Sequence, residues 1–414
     1  MACLAVLCLV LPGRFAFGDT PLRWPTLAEV MGPKPHPNPP HKGGEIEAPS
    51  LEERAGGEVS TVSLPIPTVT VDSVTDSRMF LRSFYAALEE SSTRVVRVMH
   101  YGDSQIEEDR LTDQIREALQ SRYGGSGAGL LPLAQTIPSR TVKQELFMSG
   151  RRVQPANGPK RYLVHGFKRE QRTDGLYGPM GQMAVMNDSL VKGSEEIKAI
   201  IRPLQPNAHY DRWQVLADTS VHYSISGDTV FLTGRGGVYG LSQESRTGVI
   251  VDNIPLRGCI GTVFTKMDSA QLATFYREQN VQLIIMQFGG NAIPSNKNPG
   301  TISGIVKGLR QQVRYLQRLA PGVSILFIGP SDMLTQENGE WITYPMVPYM
   351  DRLLRKMAQE ENIAYFSLYQ WMGGSGSMLK WQEIGLAGSD GVHFSRSGAR
   401  KAGKAVAEWI LERN

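Results

Sequence analysis

Short β-rich runs alternate with amphipathic stretches in two separate parts of this 414-residue chain, and this alternation most constrains its fold. In the later part, apolar residues recur at helical spacing between the β-rich runs. Its successive segments are strand 283–288, helix 304–319, strand 323–328, helix 346–360, strand 364–367 and helix 397–411. Strands that alternate with helices predict an α/β protein whose parallel sheet is covered by helices on both faces.

The earlier α/β part begins near residue 76. Residues 77–90 have helical spacing, residues 94–99 form a β-rich run, and residues 107–123 return to helical spacing. The tight turn His100-Tyr-Gly-Asp-Ser104 lies between the strand and the second helix. The pattern predicts a strand, a turn that presents Ser104, and a helix.

The region between the two α/β parts has a different rhythm. Short alternating segments such as 221–226 and 229–233 are separated by Gly and Asp turns, which predicts an antiparallel β domain inserted into the chain. The predicted organisation is a signal peptide at 1–18, a Pro/Gly-rich linker at 19–75, a first hydrolase-type part at 76–139, the β-rich insertion at 140–250 and a second part at 251–414.

The first 16 residues are largely apolar and too short to span a bilayer as a helix. Ala16-Phe17-Gly18 resembles a cleavage site, so export to the periplasm or cell envelope is expected; a buried N-terminal strand is the alternative. No later stretch approaches 18 apolar residues, so no integral membrane segment is expected in the mature chain.

The charge, the cysteine content and the absence of certain motifs argue against several classes of function. The net charge of +4 comes without a basic helix or an aromatic-plus-basic repeat, which argues against nucleic acid as a partner. Two of the three cysteines, Cys3 and Cys8, lie in the predicted signal, so Cys259 has no partner for a disulfide or a cysteine-based metal site. No phosphate loop or dinucleotide fingerprint is present, and no metal or other cofactor is expected.

Three polar segments follow predicted strands or precede the last helix: Gly102-Asp103-Ser104, Gly289-Gly290-Asn291 and Asp390-Gly-Val-His393. Ligands bind at the carboxyl ends of strands in an open parallel sheet. Each segment alone is explained as well by a helix cap or a turn. Together, and in this order, they predict a nucleophilic serine with a base and a carboxylate that orients it.

The sequence resembles the SGNH hydrolases in these segments: Ser104 in Gly-Asp-Ser, Asn291 in Gly-Gly-Asn and His393 in Asp-x-x-His. The resemblance implies a flavodoxin-like three-layer α/β/α fold, with Ser104 as nucleophile, His393 as base and Asp390 as its orienting partner. It also implies an oxyanion hole formed by Ser104, Asn291 and a glycine, assigned to Gly261 with Gly258 as the fallback. It identifies no separate substrate-binding residue.

Two departures argue against a plain lipase: Gln105 replaces a leucine common in lipase-like members, and Ala292 stands where an aspartate is common. The chain is more similar to peptidoglycan O-acetylesterases, which combine an export signal, the turn His-Tyr-Gly-Asp-Ser and a carbohydrate-binding-module-like β insertion. This likeness implies an esterase acting on an O-acetylated polysaccharide. An O-acetyltransferase on an envelope polysaccharide and a non-catalytic glycan-binding protein remain the alternatives.

Overall fold

The computed structural model describes residues 77–133, 139–148, 197–204, 210–217, 221–234 and 237–412. Six further strands are described by their backbone alone: Phe15–Phe17, Thr20–Leu22, Arg151–Val153, Leu163–Val164, Phe167–Arg169 and Val185–Asn187. The first two pair antiparallel within a separate unit, Met1–Val62. The rest of the predicted signal peptide and linker lies outside the described residues.

Five parallel strands form the central sheet of the second unit, Ser63–Asn414. They are β1 (Val95–Gly102), β2 (Gly248–Pro255), β3 (Val281–Gln287), β4 (Ser324–Ile328) and β5 (Ala364–Phe366). Their spatial order, β2-β1-β3-β4-β5, is the flavodoxin-like order. The predicted parallel α/β fold is confirmed.

The sheet is buried on both faces because its strands are almost continuously apolar. All eight residues of β1 are buried, and successive side chains enter different cores. Val98 and Leu283 belong to one core cluster, whereas the next residues, Met99 and Ile284, belong to the other. Alternation along each strand therefore supplies two hydrophobic layers.

Helices cover both layers. Those that pack on the Val98 face include α1, α2 and α8, and those on the Met99 face include α3, α4 and α5. The helices are α1 (Arg82–Glu89), α2 (Thr112–Tyr123), α3 (Ser269–Glu278), α4 (Pro299–Leu319), α5 (Met346–Glu360), α6 (Leu368–Met372), α7 (Ser377–Glu383) and α8 (Arg396–Leu411). In the described ranges, none is both long and apolar enough to cross a membrane.

Most predicted elements occur, with shifted ends. The clearest difference follows Ser104, where a helix was expected from residue 107. A 3₁₀ turn, Ser104–Asp109, stands there instead and α2 begins only at Thr112. Glu108 and Asp109 have φ of 61° and 66°, which no right-handed helix accommodates. Helices α3, α6 and α7 were not predicted.

Antiparallel strands interrupt the chain between β1 and β2. One sheet has the order Val221–Ser226, Thr229–Gly234, Ile197–Pro203, Val142–Met148 and Arg151–Val153. The other has the order Arg212–Ala217, Gly237–Glu244, Val185–Asn187, Phe167–Arg169 and Leu163–Val164, and Gly129–Leu131 pairs with its second strand. Leu146, Leu232 and Leu241 share one core between the sheets.

The expected limits of this insertion, 140 and 250, need correction at both ends. Gly129–Leu131 already pairs antiparallel with Gly237–Glu244, so the antiparallel part starts earlier. Gly248 begins the parallel strand β2 beside Val95, so residues 248–250 belong to the central sheet. The chain leaves and returns at adjacent points: Val249 N donates to Gly124 O at 2.9 Å, and Ser245 N donates to Ser126 O at 3.3 Å.

A buried ion network joins the two parts. Arg97 on β1 donates to Asp252 on β2 at 2.8 Å and to Glu244, the last residue of an antiparallel strand, at 2.5 Å. All three side chains are fully buried. Removing one member of such a network would leave an uncompensated buried charge. The network therefore holds the end of the insertion, at Glu244, against the central sheet.

Candidate active site

Ser104 lies two residues beyond β1, at the carboxyl edge of the central sheet. Asp103 caps the following 3₁₀ turn, because its Oδ1 accepts from Gln105 N at 2.9 Å. The turn is tight: a Cβ on Gly102 would lie 2.9 Å from the Ile106 side chain. Gly102 and Asp103 therefore form the tight turn that ends the strand, and this turn presents the Ser104 hydroxyl.

The far end of this turn is held by three contacts. Asp109 forms an ion pair with Arg116 at 2.5 Å and accepts from Thr141 Oγ1 at 2.5 Å, while Arg140 N donates to Glu108 O at 3.0 Å. Left-handed backbone at non-glycine residues persists only where surrounding contacts hold it. Two of these contacts come from residues beside the antiparallel strands, so the turn that carries Ser104 is braced by the insertion.

The structure brings Ser104, His393 and Asp390 into one hydrogen-bonded chain. Ser104 Oγ lies 2.9 Å from His393 Nε2, and His393 Nδ1 lies 2.7 Å from Asp390 Oδ2. Asp390 Oδ1 also accepts from the backbone N–H groups of Val392 and His393, both at 2.9 Å. The Asp-x-x-His spacing thus closes a local turn in which the carboxylate holds both the loop and the ring.

The charge state of Asp390 fixes the proton arrangement. Partial burial acts to raise the pKa of Asp390, but hydrogen bonds from His393 and Val392 outweigh it and hold this pKa below its ordinary value. An ionised carboxylate only accepts hydrogen bonds, so Nδ1 of His393 carries the proton. Nε2 is then free to accept from the Ser104 hydroxyl, as a general base must.

Asn291 lies beside Ser104, in a 3₁₀ turn directly after β3. Its Nδ2 donates to Asp103 Oδ2 at 3.1 Å and to Cys259 O at 3.2 Å. Gly289 precedes this turn with φ of 114°, which favours glycine. Burial raises the pKa of Asp103 to about 6, while the hydrogen bond from Asn291 is among the contacts that oppose this shift.

The structure does not bring Gly261 to the pocket at Ser104. Its N–H donates to Cys259 Sγ at 3.2 Å, which occupies the donor that an oxyanion hole would need. A Cβ there would lie 2.7 Å from Leu309, and φ is 96°, so close packing and backbone conformation account for this glycine. The Gly261 N–H is thus engaged in the free structure, and its role in the oxyanion hole stays a prediction. Gly258, the fallback, is exposed.

A small cavity of about 50 Å³ adjoins Ser104 and His393. The residues that line it include Phe288, Gly290, Asn291, Pro294, Pro330 and Met333. A space of this size accommodates a short acyl group, and polar residues such as Asp103, Gln105 and Ser331 line it as well.

Sequence reasoning missed the role of Gln105. Its Nε2 donates to Val392 O at 2.7 Å, which ties the residue after the nucleophile to the loop of Asp390 and His393. The departure from leucine noted above was the only signal. The contact joins residues 287 positions apart and depends on tertiary packing.

His100 is buried behind the site. Its Nδ1 lies 2.9 Å from Thr112 Oγ1 and its Nε2 lies 3.1 Å from Gln287 Oε1. Burial lowers the pKa of His100 to about 3, although the bond to Gln287 opposes the shift. His100 is therefore neutral at pH 7 and supports the sheet edge. Among the residues that the structure describes, no group of three or more His, Cys, Asp or Glu is placed to hold a metal ion.

A solved structure described as a peptidoglycan O-acetylesterase in action matches 81% of this chain and 97% of its own length, with 18% identity and a TM-score of 0.60. The chain has the fold of the SGNH hydrolases. A carbohydrate acetylesterase from Sinorhizobium meliloti (15% identity, 39% of this chain and 78% of that one, TM-score 0.29) and an acetyl xylan esterase (13%, 39% and 79%, 0.26) overlap it less. No family model and no curated protein matches the chain.

Proposed function

We propose that the chain is an exported serine esterase that removes O-acetyl groups from a cell-envelope glycan, with peptidoglycan as its substrate. The observation that carries the proposal is the Ser104–His393–Asp390 hydrogen-bonded chain at the carboxyl edge of the sheet. It has the nucleophile, base and orienting carboxylate of serine hydrolases, connected in the required order.

The reaction is acyl transfer in two halves. Ser104 Oγ attacks the acetyl carbonyl carbon while His393 Nε2 takes the hydroxyl proton, and the carbonyl oxygen becomes an oxyanion. As the tetrahedral intermediate collapses, the bond to the sugar oxygen breaks and His393 returns the proton to the leaving alcohol. Water then attacks the acetyl-serine by the same route and releases acetate.

The oxyanion needs donors that the free enzyme holds near Ser104. Among the described residues, none accepts from the Ser104 backbone N–H, so this donor is available. The Asn291 amide is bonded to Asp103 and Cys259. In the proposed mechanism it exchanges the Cys259 carbonyl for the oxyanion and keeps the bond to Asp103, which orients it.

Two observations support the substrate class. The small cavity beside Ser104 suits an acetyl group. The chain also shares its fold, over most of both lengths, with a protein described as a peptidoglycan O-acetylesterase. The predicted signal at 1–18 and the β-rich insertion are consistent with an exported enzyme that meets a polymer.

The test is acetate release from O-acetylated peptidoglycan, compared with O-acetylated xylan and a long-chain ester at equal acyl concentration. We expect peptidoglycan to be preferred, and the Ser104→Ala variant to release no acetate above background. A preference for xylan would reject the proposed substrate, and a preference for the long-chain ester would reject the carbohydrate acetylesterase. Appearance of acetyl groups on an added acceptor glycan would identify a transferase instead.

A further inference from the structure

A second and much larger cleft, of about 1040 Å³, lies between α2, the first turns of α8 and the antiparallel strands. It shares no lining residue with the cavity at Ser104. Its walls include Asp113 from α2, Arg396 and Arg400 from α8, and Arg140 and Gln243 from the insertion. The triad chemistry described above makes no use of these side chains.

Three buried polar atoms in this cleft lack hydrogen-bond partners among the described residues: Asp113 Oδ1, Gln243 Oε1 and Arg140 Nε. The Asp113 and Gln243 side chains are more than nine-tenths buried. Folded proteins satisfy nearly all such atoms, and exceptions in one place call for an explanation. Each of these atoms has almost no accessible area, so they lie behind the surface of the cleft and an occupant does not contact them in this conformation.

The cleft is lined by four arginines (Arg116, Arg140, Arg396 and Arg400) and three acidic residues (Glu108, Asp113 and Glu117), an excess of one positive charge. Arg396 and Arg400 are exposed and one helical turn apart, and neither forms an ion pair with any residue in the described ranges. Arg140 lies 3.5 Å from Glu108, and partial burial together with the nearby Arg396 helps to lower the pKa of Arg140. Guanidinium groups held close together without full compensation favour an anionic partner, above all a carboxylate or phosphate.

The cleft begins at the elements that carry the triad. Glu108, one of its lining residues, belongs to the same turn as Ser104. Arg396 follows His393 by three residues, at the start of α8. The cleft therefore borders the two segments that carry the nucleophile and the base.

We propose that this cleft binds a glycan segment that carries carboxylates. The carboxylates lie against Arg140, Arg396 and Arg400. The inference deepens the proposed function, because it names the chemistry of the polymer that the same enzyme holds. Binding and hydrolysis remain separable, because the cleft and the cavity at Ser104 share no residue.

The experiment measures binding by calorimetry to the full chain carrying Ser104→Ala. The probes are a soluble disaccharide-peptide from de-O-acetylated peptidoglycan, which carries carboxylates, and chitotetraose, a neutral amino-sugar oligomer. We expect the anionic probe to bind at least about tenfold more tightly. Adding Arg400→Gln should weaken it roughly tenfold, as expected for one charged hydrogen bond.

The matched control is Lys404→Gln, which removes the same charge one turn further along α8, outside the cleft. It should leave the affinity unchanged. Both substituted residues are exposed, so both variants should fold. Equal affinity for the two probes, or equal effects of Arg400→Gln and Lys404→Gln, would overturn the proposal.

Hydrolysis of an aryl acetate by the unsubstituted chain separates this inference from the esterase. Selective binding of the anionic probe without any ester hydrolysis would retain the cleft and reject the esterase. Hydrolysis without discrimination between the probes would retain the esterase and reject the cleft.

Discussion

Gln105 Nε2 donates to the main-chain oxygen of Val392 at 2.7 Å, so the residue after the nucleophile holds the loop that carries the base. Because both Ser104 and His393 are adjacent to this bond, it sets the distance between them. Small displacements of reacting groups cost large factors in rate.

Gln105→Leu should therefore lower kcat by about 10- to 100-fold with little change in KM, since positioning is lost and substrate contacts are kept. Gln120→Leu is the control: Gln120 Nε2 also donates to main-chain oxygens, those of Gly127 and Val249, away from Ser104. If both variants lose activity equally, Gln105 has only a structural role. Steady-state kinetics with an aryl acetate decide between these outcomes.

Ser104→Ala and His393→Ala should each lower kcat by about 10⁴-fold or more, and the double variant should be no worse, because the two act as one unit. Asp390→Asn should be less damaging, at about 10²–10⁴-fold. Thermal unfolding should be similar for all four variants, since Ser104 and His393 are only partly buried and Asp390 is exposed. Near-normal turnover by the Ser104 variant would reject the assignment of the nucleophile.

Asn291→Ala should lower kcat by about 10²–10³-fold with little change in KM, the usual effect of removing one oxyanion donor. Asp103→Asn tests the orienting partner, because a neutral amide is a weaker acceptor for Asn291 Nδ2 than a carboxylate. We expect it to reduce kcat less than Asn291→Ala does. An effect of Asn291→Ala on KM alone would make this residue a binding residue.

His100 should make the fold less stable in acid. Its pKa in the folded state is about 3 against an ordinary value of 6.5, so between these values the unfolded chain binds a proton that the folded chain does not. The free energy of unfolding should therefore fall with decreasing pH across this window, by about 1.4 kcal/mol per pH unit. At pH 7 and above, neutral His100 makes its full contribution to the free energy of unfolding.

The measurement is urea unfolding at pH 7 and pH 5 for the unsubstituted chain and for His100→Gln, which does not titrate. From pH 7 to pH 5, the unsubstituted chain should lose about 2 kcal/mol relative to the variant. Asp103 and Asp113, whose pKa values are raised, have the opposite pH dependence, but they are present in both proteins. A pH-independent difference would show that His100 titrates normally.

Features that depend on local pattern could be predicted from the sequence. Strand β1, the turn at Ser104 and the Asp390–His393 pair each lie within a few residues, and the parallel sheet follows from the alternation of elements. The start of α2 could not be predicted from the sequence. Residues 107–109 suit a helix by their local pattern, but Arg116 and Thr141 hold Asp109 in another conformation. Tertiary contacts there override helix propensity.

Glycine roles were a second limit. From the sequence alone, Gly261 could serve as a backbone donor, as a residue with positive φ, or as a small residue that permits close packing. The bond to Cys259 Sγ and the approach of Leu309 bear on these roles, and both need the folded structure. The same holds for the bond between Gln105 and Val392, which only the packing of distant segments creates.

The bonds from Val249 to Gly124 and from Ser245 to Ser126 place the departure and return of the chain side by side. A very short linker in place of the antiparallel strands would cost little chain entropy, because it joins two neighbouring ends. It would also leave the buried Arg97 without Glu244 and the turn at Asp109 without Thr141. The antiparallel strands thus resemble a cassette, of the kind that lineages gain or lose by a single insertion or excision at a surface turn. A different cassette at this point would leave β1, β2 and their order in the sheet unchanged, but it would have to supply new partners for Arg97 and Asp109.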